Sequence, residues 1–187
     1  MKPFIDESLL IAVPEQDLQW ALKSFFYTYK ENNQKLVDAR KEKLKGCHLG
    51  SFGFALNSYY MANPALPFPG SESSLFPQDY LLLHDTHHVL LGADVTEAGE
   101  VYVTAFECGL MSQSNARILT LLAQIQVLLD HKGISMFNAA VAQKAFDIGS
   151  QANPGLMDSF DPMSMLDEPL ISIRQSLNIE PLSMVWG

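Results

Sequence analysis

Positive charge is scarce in this chain. It holds 12 lysines and arginines against 21 aspartates and glutamates, a net charge of −9. Wrapping nucleic acid needs a basic face, so that class is excluded. Simple electrostatic attraction to anionic lipid is excluded on the same ground. Cysteine is nearly missing: Cys47 and Cys108 lie far apart and form no CxxC pair. A disulfide framework is therefore not expected, and a reducing, cytoplasmic setting is. Long hydrophobic runs are lacking too. The longest mostly apolar stretch is Ile118 to Leu129, short of the about 20 residues that span a bilayer. The N-terminal stretch carries acidic residues and no apolar core before a cleavage site, so no signal peptide is expected. There is no glycine-rich phosphate loop and no activated serine or cysteine motif; Cys108 reads as core.

What is present suits one domain with a sizeable core: 187 residues, 48% hydrophobic and only 18% charged. So few charges leave apolar surface for a cavity, a partner or a membrane face. Nearly every long segment reads as helix. Glu15 to Glu31 repeats Leu18, Leu22, Phe25, Phe26 and Tyr29 at helical spacing. Gln34 to Lys45 reads as an exposed helix ended by Gly46. Leu49 to Met61 reads as a buried one. Asn63 to Pro77, with four prolines, is the longest loop. Helices follow at Gln78 to Leu91, Ala98 to Met111, Asn115 to Asp130 and Ser135 to Ile148, with a break from Gly149. Two short helices end the chain, near Pro162 to Leu166 and Pro169 to Leu177. No segment alternates with period two, so the expected fold is an all-α, single-domain helical bundle.

The stretch HDTHHVLLGADVTEAGE, from His84 to Glu100, carries the chemistry. His84 and His88 stand four apart, so on a helix both rings leave one face. Two such imidazoles can grip one ion, and Glu100 on the next helix can complete the set. The segment is otherwise apolar, and several ionisable groups are not buried together unless they are paired or coordinated. Nitrogen donors favour zinc or an iron-type ion over magnesium, which prefers oxygen. Glu107 lies two turns beyond Glu100 and reads as a fifth ligand, an outer partner or a general base. Gly99 reads as the point where the two helices approach.

Blander readings exist. A histidine can simply pair with Asp85, and Asp94, Glu97 and Glu107 can be solvated helix charges. His87 points about 100 degrees from His88 and reads as an outer or surface residue. His48 and His131 read as structural or exposed. Peptidase chemistry of the HExxH type needs glutamate where Asp85 stands. An HD-type phosphohydrolase would use His48, His84, Asp85 and Asp130, leaving His88 and Glu100 without a role.

The same residues resemble the Coq4 family of ubiquinone (coenzyme Q) biosynthesis proteins. That family carries HDxxH, eleven residues, then glutamate, matched here by His84, Asp85, His88 and Glu100. Gly92, the Gly99–Glu100 pair and the Phe106–Glu107 pair agree as well. GCHLGSFGFALNSYY from Gly46 looks like its small-residue segment, and EPLISIRQSLNIEP from Glu168 like its C-terminal PLxxxRxxLxI ending. The resemblance runs over 46–181. Residues 1–45 diverge, and YLLLHD lacks the arginine or acidic residue that members often place before the motif, as in a divergent bacterial member.

The resemblance implies an all-helical fold around an apolar cavity for an isoprenoid tail. It implies a divalent ion, zinc or iron before magnesium, held by His84, Asp85, His88 and Glu100. The implied activity is oxidative decarboxylation at ring carbon C1 of a prenylated 4-hydroxybenzoate, replacing carboxylate by hydroxyl, with His84, Asp85 and Glu107 as the catalytic candidates. It also implies a role organising other quinone-biosynthesis proteins in peripheral contact with the inner membrane face. The alternative is a non-catalytic prenyl-lipid-binding scaffold, as a monomer or homodimer.

Overall fold

The computed structural model describes residues 34–71, 78–110, 139–153 and 160–182. Six α-helices and one 3-10 turn make up these residues, with no strand among them. They are α1 (Gln34–Lys45), α2 (Phe52–Ala62), α3 (Gln78–Leu91), α4 (Glu97–Leu110), α5 (Ala139–Gln151) and α6 (Leu170–Ser176), with the 3-10 turn at Pro162–Ser164. The all-α expectation holds. The expected helices at 15–31 and 115–130, the apolar stretch 118–129, Asp130 and His131 lie outside the described residues. Among the described residues, no helix is long and apolar enough to cross a membrane.

Helix α1 is mostly polar and buries Val37 and Leu44, two turns apart. That seam packs it on α2. Helix α2 begins later than its apolar pattern suggests, because Gly50 takes a φ of +90° and Ser51 caps the helix. The Ser51 hydroxyl accepts from the Phe54 N–H at 3.1 Å. Two further unpaired amides at this end donate to a returning segment: Phe52 N–H to the Glu168 carbonyl and Gly53 N–H to the Leu166 carbonyl, each 2.8 Å. A side chain at Gly53 would run into the Cys47 sulfur and the Leu166 carbonyl, so the small-residue segment is what lets this chain return so closely.

Helix α3 is closed by a Schellman turn. Gly92 sits at φ +69°, its N–H donates to the Val89 carbonyl at 3.3 Å, and the Ala93 N–H donates to His88 at 3.0 Å. The remaining terminal carbonyls are taken up by the C-terminal segment. Arg174 donates to Leu90 and Val89, and the Leu182 N–H donates to Leu91 at 2.8 Å. Helix α4 starts from Thr96, whose hydroxyl accepts from the Gly99 N–H at 3.2 Å. Gly99 faces its own cap rather than α3: an added Cβ there would collide with the backbone and side chain of Asp94.

Among the described residues, the closest helix pairing joins α4 to α5. A Cβ on Gly109 would strike the Phe146 carbonyl, and one on Gly149 would strike the Phe106 carbonyl. The two backbones therefore touch at their glycines. Gly149 reads in sequence as a break, yet α5 runs through it to Gln151, because here the residue serves an interhelical contact rather than a turn. Phe52, Leu56, Leu90, Leu91, Val103, Phe106, Ala142 and Ala145 fill the centre, all fully buried. Each large side chain among them contributes about 1.5–3 kcal/mol by leaving water. This core clamps α3 between α2 and α4, and α3 carries the histidines.

Candidate metal centre

His84 and His88 leave one face of α3 a turn apart, their ring centroids 5.0 Å apart and nearly perpendicular. Their Nε2 atoms face each other at 3.3 Å. Glu100, in the first turn of α4, meets both: Oε2 lies 3.1 Å from His84 Nε2, and Oε1 lies 3.3 Å from His88 Nε2. Among the described residues, these three form the group of side chains able to hold one ion, their donor atoms all within 4.8 Å of one another.

The far nitrogen of each ring is also engaged. His84 Nδ1 lies 3.0 Å from Glu107 Oε1, and His88 Nδ1 faces the Ala93 carbonyl at 3.4 Å. With a proton on Nδ1 alone, each ring would offer an Nε2 lone pair to an ion at this point. Two imidazole nitrogens and a carboxylate, aligned in this way from behind, suit zinc or an iron-type ion. The set is buried on one side, with the His88 side chain fully enclosed. It opens toward solvent at Glu100, whose side chain is 28% exposed.

Glu107 is not a solvated helix charge. It is buried, and Oε1 meets His87 Nδ1 at 2.7 Å as well as His84. His87, read from sequence as an outer or surface residue, is 1% exposed. Spacing along α3 alone does not reveal this contact, which depends on how α3 and α4 cross.

Asp85 sits beside the group but not in it. Tyr60 donates its hydroxyl to Oδ2 at 2.7 Å, and Tyr59 reaches Oδ1 at 3.4 Å. The Tyr59 ring lies against His88 with centroids 5.6 Å apart; that of Tyr60 lies 4.7 Å from Phe68. Sequence reading missed both tyrosines. The available signal is two adjacent tyrosines in a mostly apolar helix, since a buried phenol needs a hydrogen-bond partner. His48 is exposed, its Nδ1 near the Leu49 carbonyl, and stands apart from the group. Asp94 is spent on the α4 cap, accepting from the Thr96 hydroxyl at 2.6 Å. The Cys108 and Glu97 side chains lie outside the described residues.

The electrostatics follow the contacts. Burial opposes charge on His84, but the Glu107 carboxylate and the hydrogen bonds to Glu100 and Glu107 outweigh it and hold its pKa well above the ordinary value. Burial would raise Glu100, yet hydrogen bonds from His84 and His88 pull it down to about 2. Glu107 is likewise lowered against its burial by His84 and His87. Asp85 goes the other way: burial lifts it to about 6, only partly offset by the Tyr60 hydroxyl. Burial first, and the neighbouring Asp85 charge second, raise both tyrosines.

The family model described as coenzyme Q (ubiquinone) biosynthesis protein Coq4 matches residues 71–183, more than half of the chain. No curated protein matches it.

Proposed function

The chain belongs to the Coq4 family of coenzyme Q (ubiquinone) biosynthesis proteins, and on that premise we propose that it is a metal-dependent enzyme of that pathway. The proposed reaction is oxidative decarboxylation of a prenylated 4-hydroxybenzoate. In net terms the ring loses its carboxylate as carbon dioxide and gains a hydroxyl from water, one proton is released, and an external oxidant takes two electrons. The observation that carries the reading is the convergence of His84, His88 and Glu100 within ligand reach.

In this reading His84 Nε2, His88 Nε2 and Glu100 hold a divalent ion. When bound, such an ion supplies Lewis acidity toward a ring carboxylate or phenolate. The protein's own groups do the rest. Glu107 keeps the His84 ring oriented. Tyr59 packs against His88 and, with Tyr60, holds the Asp85 carboxylate behind the site. Asp85 serves as a buried acid–base group rather than a ligand, its pKa of about 6 placing it near the working range of such catalysts. Of the three donors Glu100 is the most exposed, 28% against 16% for His84, and that side is where an aromatic head group would approach.

Elemental analysis of purified protein, followed by turnover of a prenylated hydroxybenzoate, tests this. Stoichiometric zinc or iron and release of carbon dioxide are expected, both abolished in His84→Ala and Glu100→Ala. Full quinone production in cells carrying those variants would sink the catalytic reading.

A second reading is a non-catalytic prenyl-lipid-binding scaffold that organises other quinone-biosynthesis proteins. It draws on a pocket of about 460 Å³ between α2 and the C-terminal segment, walled by Phe54, Ala55, Tyr59, Val89 and Leu170. Co-purified isoprenoid lipid without stoichiometric metal would favour it.

A further inference from the structure

We infer that His87 is a positioning residue of the metal centre, fixing the His84 ring through Glu107 rather than donating to the ion. The inference rests on reading His84, His88 and Glu100 as a metal centre.

The geometry is specific. A single oxygen, Glu107 Oε1, accepts from His84 Nδ1 at 3.0 Å and from His87 Nδ1 at 2.7 Å. The bond from His87 is the shorter, so His87 is the firmer anchor of that carboxylate. His87 is itself immobilised. It is 1% exposed, and the ring of fully buried Phe106 meets it edge-on, centroids 5.3 Å apart. Glu107 and Phe106 are neighbours on α4, so the backbone that carries the carboxylate also carries the ring that pins its donor.

The other end of the ring strengthens the argument. His87 Nε2 is buried and has no hydrogen-bond partner among the described residues. A buried nitrogen left unpaired is unfavourable, and an apolar side chain at 87 would avoid it. All the polar use of this side chain passes through Nδ1 to Glu107. The consequence falls on His84. Without the Nδ1–H of His87, a buried carboxylate keeps one donor where it had two and is free to turn. The acceptor that directs His84 Nε2 toward His88 and Glu100 is then no longer held in place. Partners of this kind behind a ligand commonly alter metal affinity about 10–100-fold.

The test is a cobalt(II) titration of metal-free full-length protein, read by visible absorption, with thermal unfolding of each variant alongside. His87→Leu is expected to weaken cobalt binding about 10–100-fold and to change the band shape. His87→Asn, whose amide N–H can stand where Nδ1 does, should restore most of the affinity. Glu107→Gln should weaken binding as well, and adding His87→Leu to it should cost little more, because both act through one carboxylate. Unchanged binding in His87→Leu, failure of His87→Asn to rescue, or independent losses in the double variant would overturn the inference. If His87→Leu does not fold, His87→Asn is compared with His87→Gln, whose amide reaches the Nε2 position instead. Asparagine must then bind cobalt more tightly, and the reverse order overturns the inference. Wild-type protein that binds no cobalt, zinc or iron would remove the metal reading and this inference together. Normal wild-type binding with unaffected variants would remove this inference alone.

Discussion

The guanidinium of Arg174 donates from Nε to the Leu90 carbonyl at 2.8 Å. Its Nη2 reaches the Val89 carbonyl at 2.9 Å. A cation from α6 thus closes the C-terminal end of the helix that carries the histidines, where the helix dipole favours positive charge.

Replacing Arg174 by leucine should therefore destabilise the fold by about 1.5–3 kcal/mol, the loss of charged hydrogen bonds to partly buried carbonyls. Arg174→Lys should fall between, since an ammonium donates from one point and cannot span both carbonyls as the planar fork does. Denaturant midpoints of the three proteins give the order. Equal stability of leucine and arginine would show that water replaces the cap without loss.

The glycine crossing of α4 and α5 makes a second prediction. A methyl at Gly149 meets the Phe106 carbonyl, which is backbone and cannot swing aside. Gly149→Ala should cost about 1–3 kcal/mol by forcing the helices apart, although alanine is the better helix former. Ser150→Ala, one residue on and exposed, should change stability by less than about 0.5 kcal/mol. A stabilised Gly149→Ala protein would contradict the close approach.

The limits of α3 were readable because both ends carry punctuation: prolines before, and a glycine after that takes the left-handed turn. The pairing of His84, His88 and Glu100 was readable because four-residue spacing on one helix and one carboxylate after a short turn leave little freedom. Asp85 was not, because the HD doublet looks like one unit although neighbouring helical residues diverge by about 100 degrees. It turns to α2, toward Tyr60 at 25 residues' separation. The His87–Glu107 contact depends on the crossing of α3 and α4, which no local pattern encodes. Gly149 was misread because a break and a helix crossing use the same residue.

Asp85 ties stability to pH in the metal-free protein. Its ordinary value is 3.8, and burial lifts it to about 6 in the fold. Between those values the folded state holds a proton that the unfolded chain has lost. Stability must then fall as pH rises through that window. At full ionisation the cost is roughly 3 kcal/mol. Asp85→Asn should accordingly stabilise metal-free protein at neutral pH and make little difference near pH 4. Thermal unfolding at the two pH values decides it. A constant difference at both would mean that the carboxylate does not titrate in this range.

His84 makes the last prediction, and its sign is opposite for metal. Glu107 and Glu100 together hold the ring charged well above its ordinary pKa, with Nδ1 and Nε2 both against carboxylates. A metal ion at Nε2 must displace that proton, whereas Glu100, held down to about 2, has none to lose. Loading should therefore release one proton near neutral pH, and affinity should rise about tenfold per pH unit until His84 titrates on its own. Calorimetry in buffers of different ionisation enthalpy counts the proton directly. In Glu107→Gln the pull on His84 is weaker, so the proton released at neutral pH should drop toward zero even as the ring is less well oriented. Binding that is independent of pH between about pH 6 and pH 8 would mean that His84 Nε2 is not a donor to the ion.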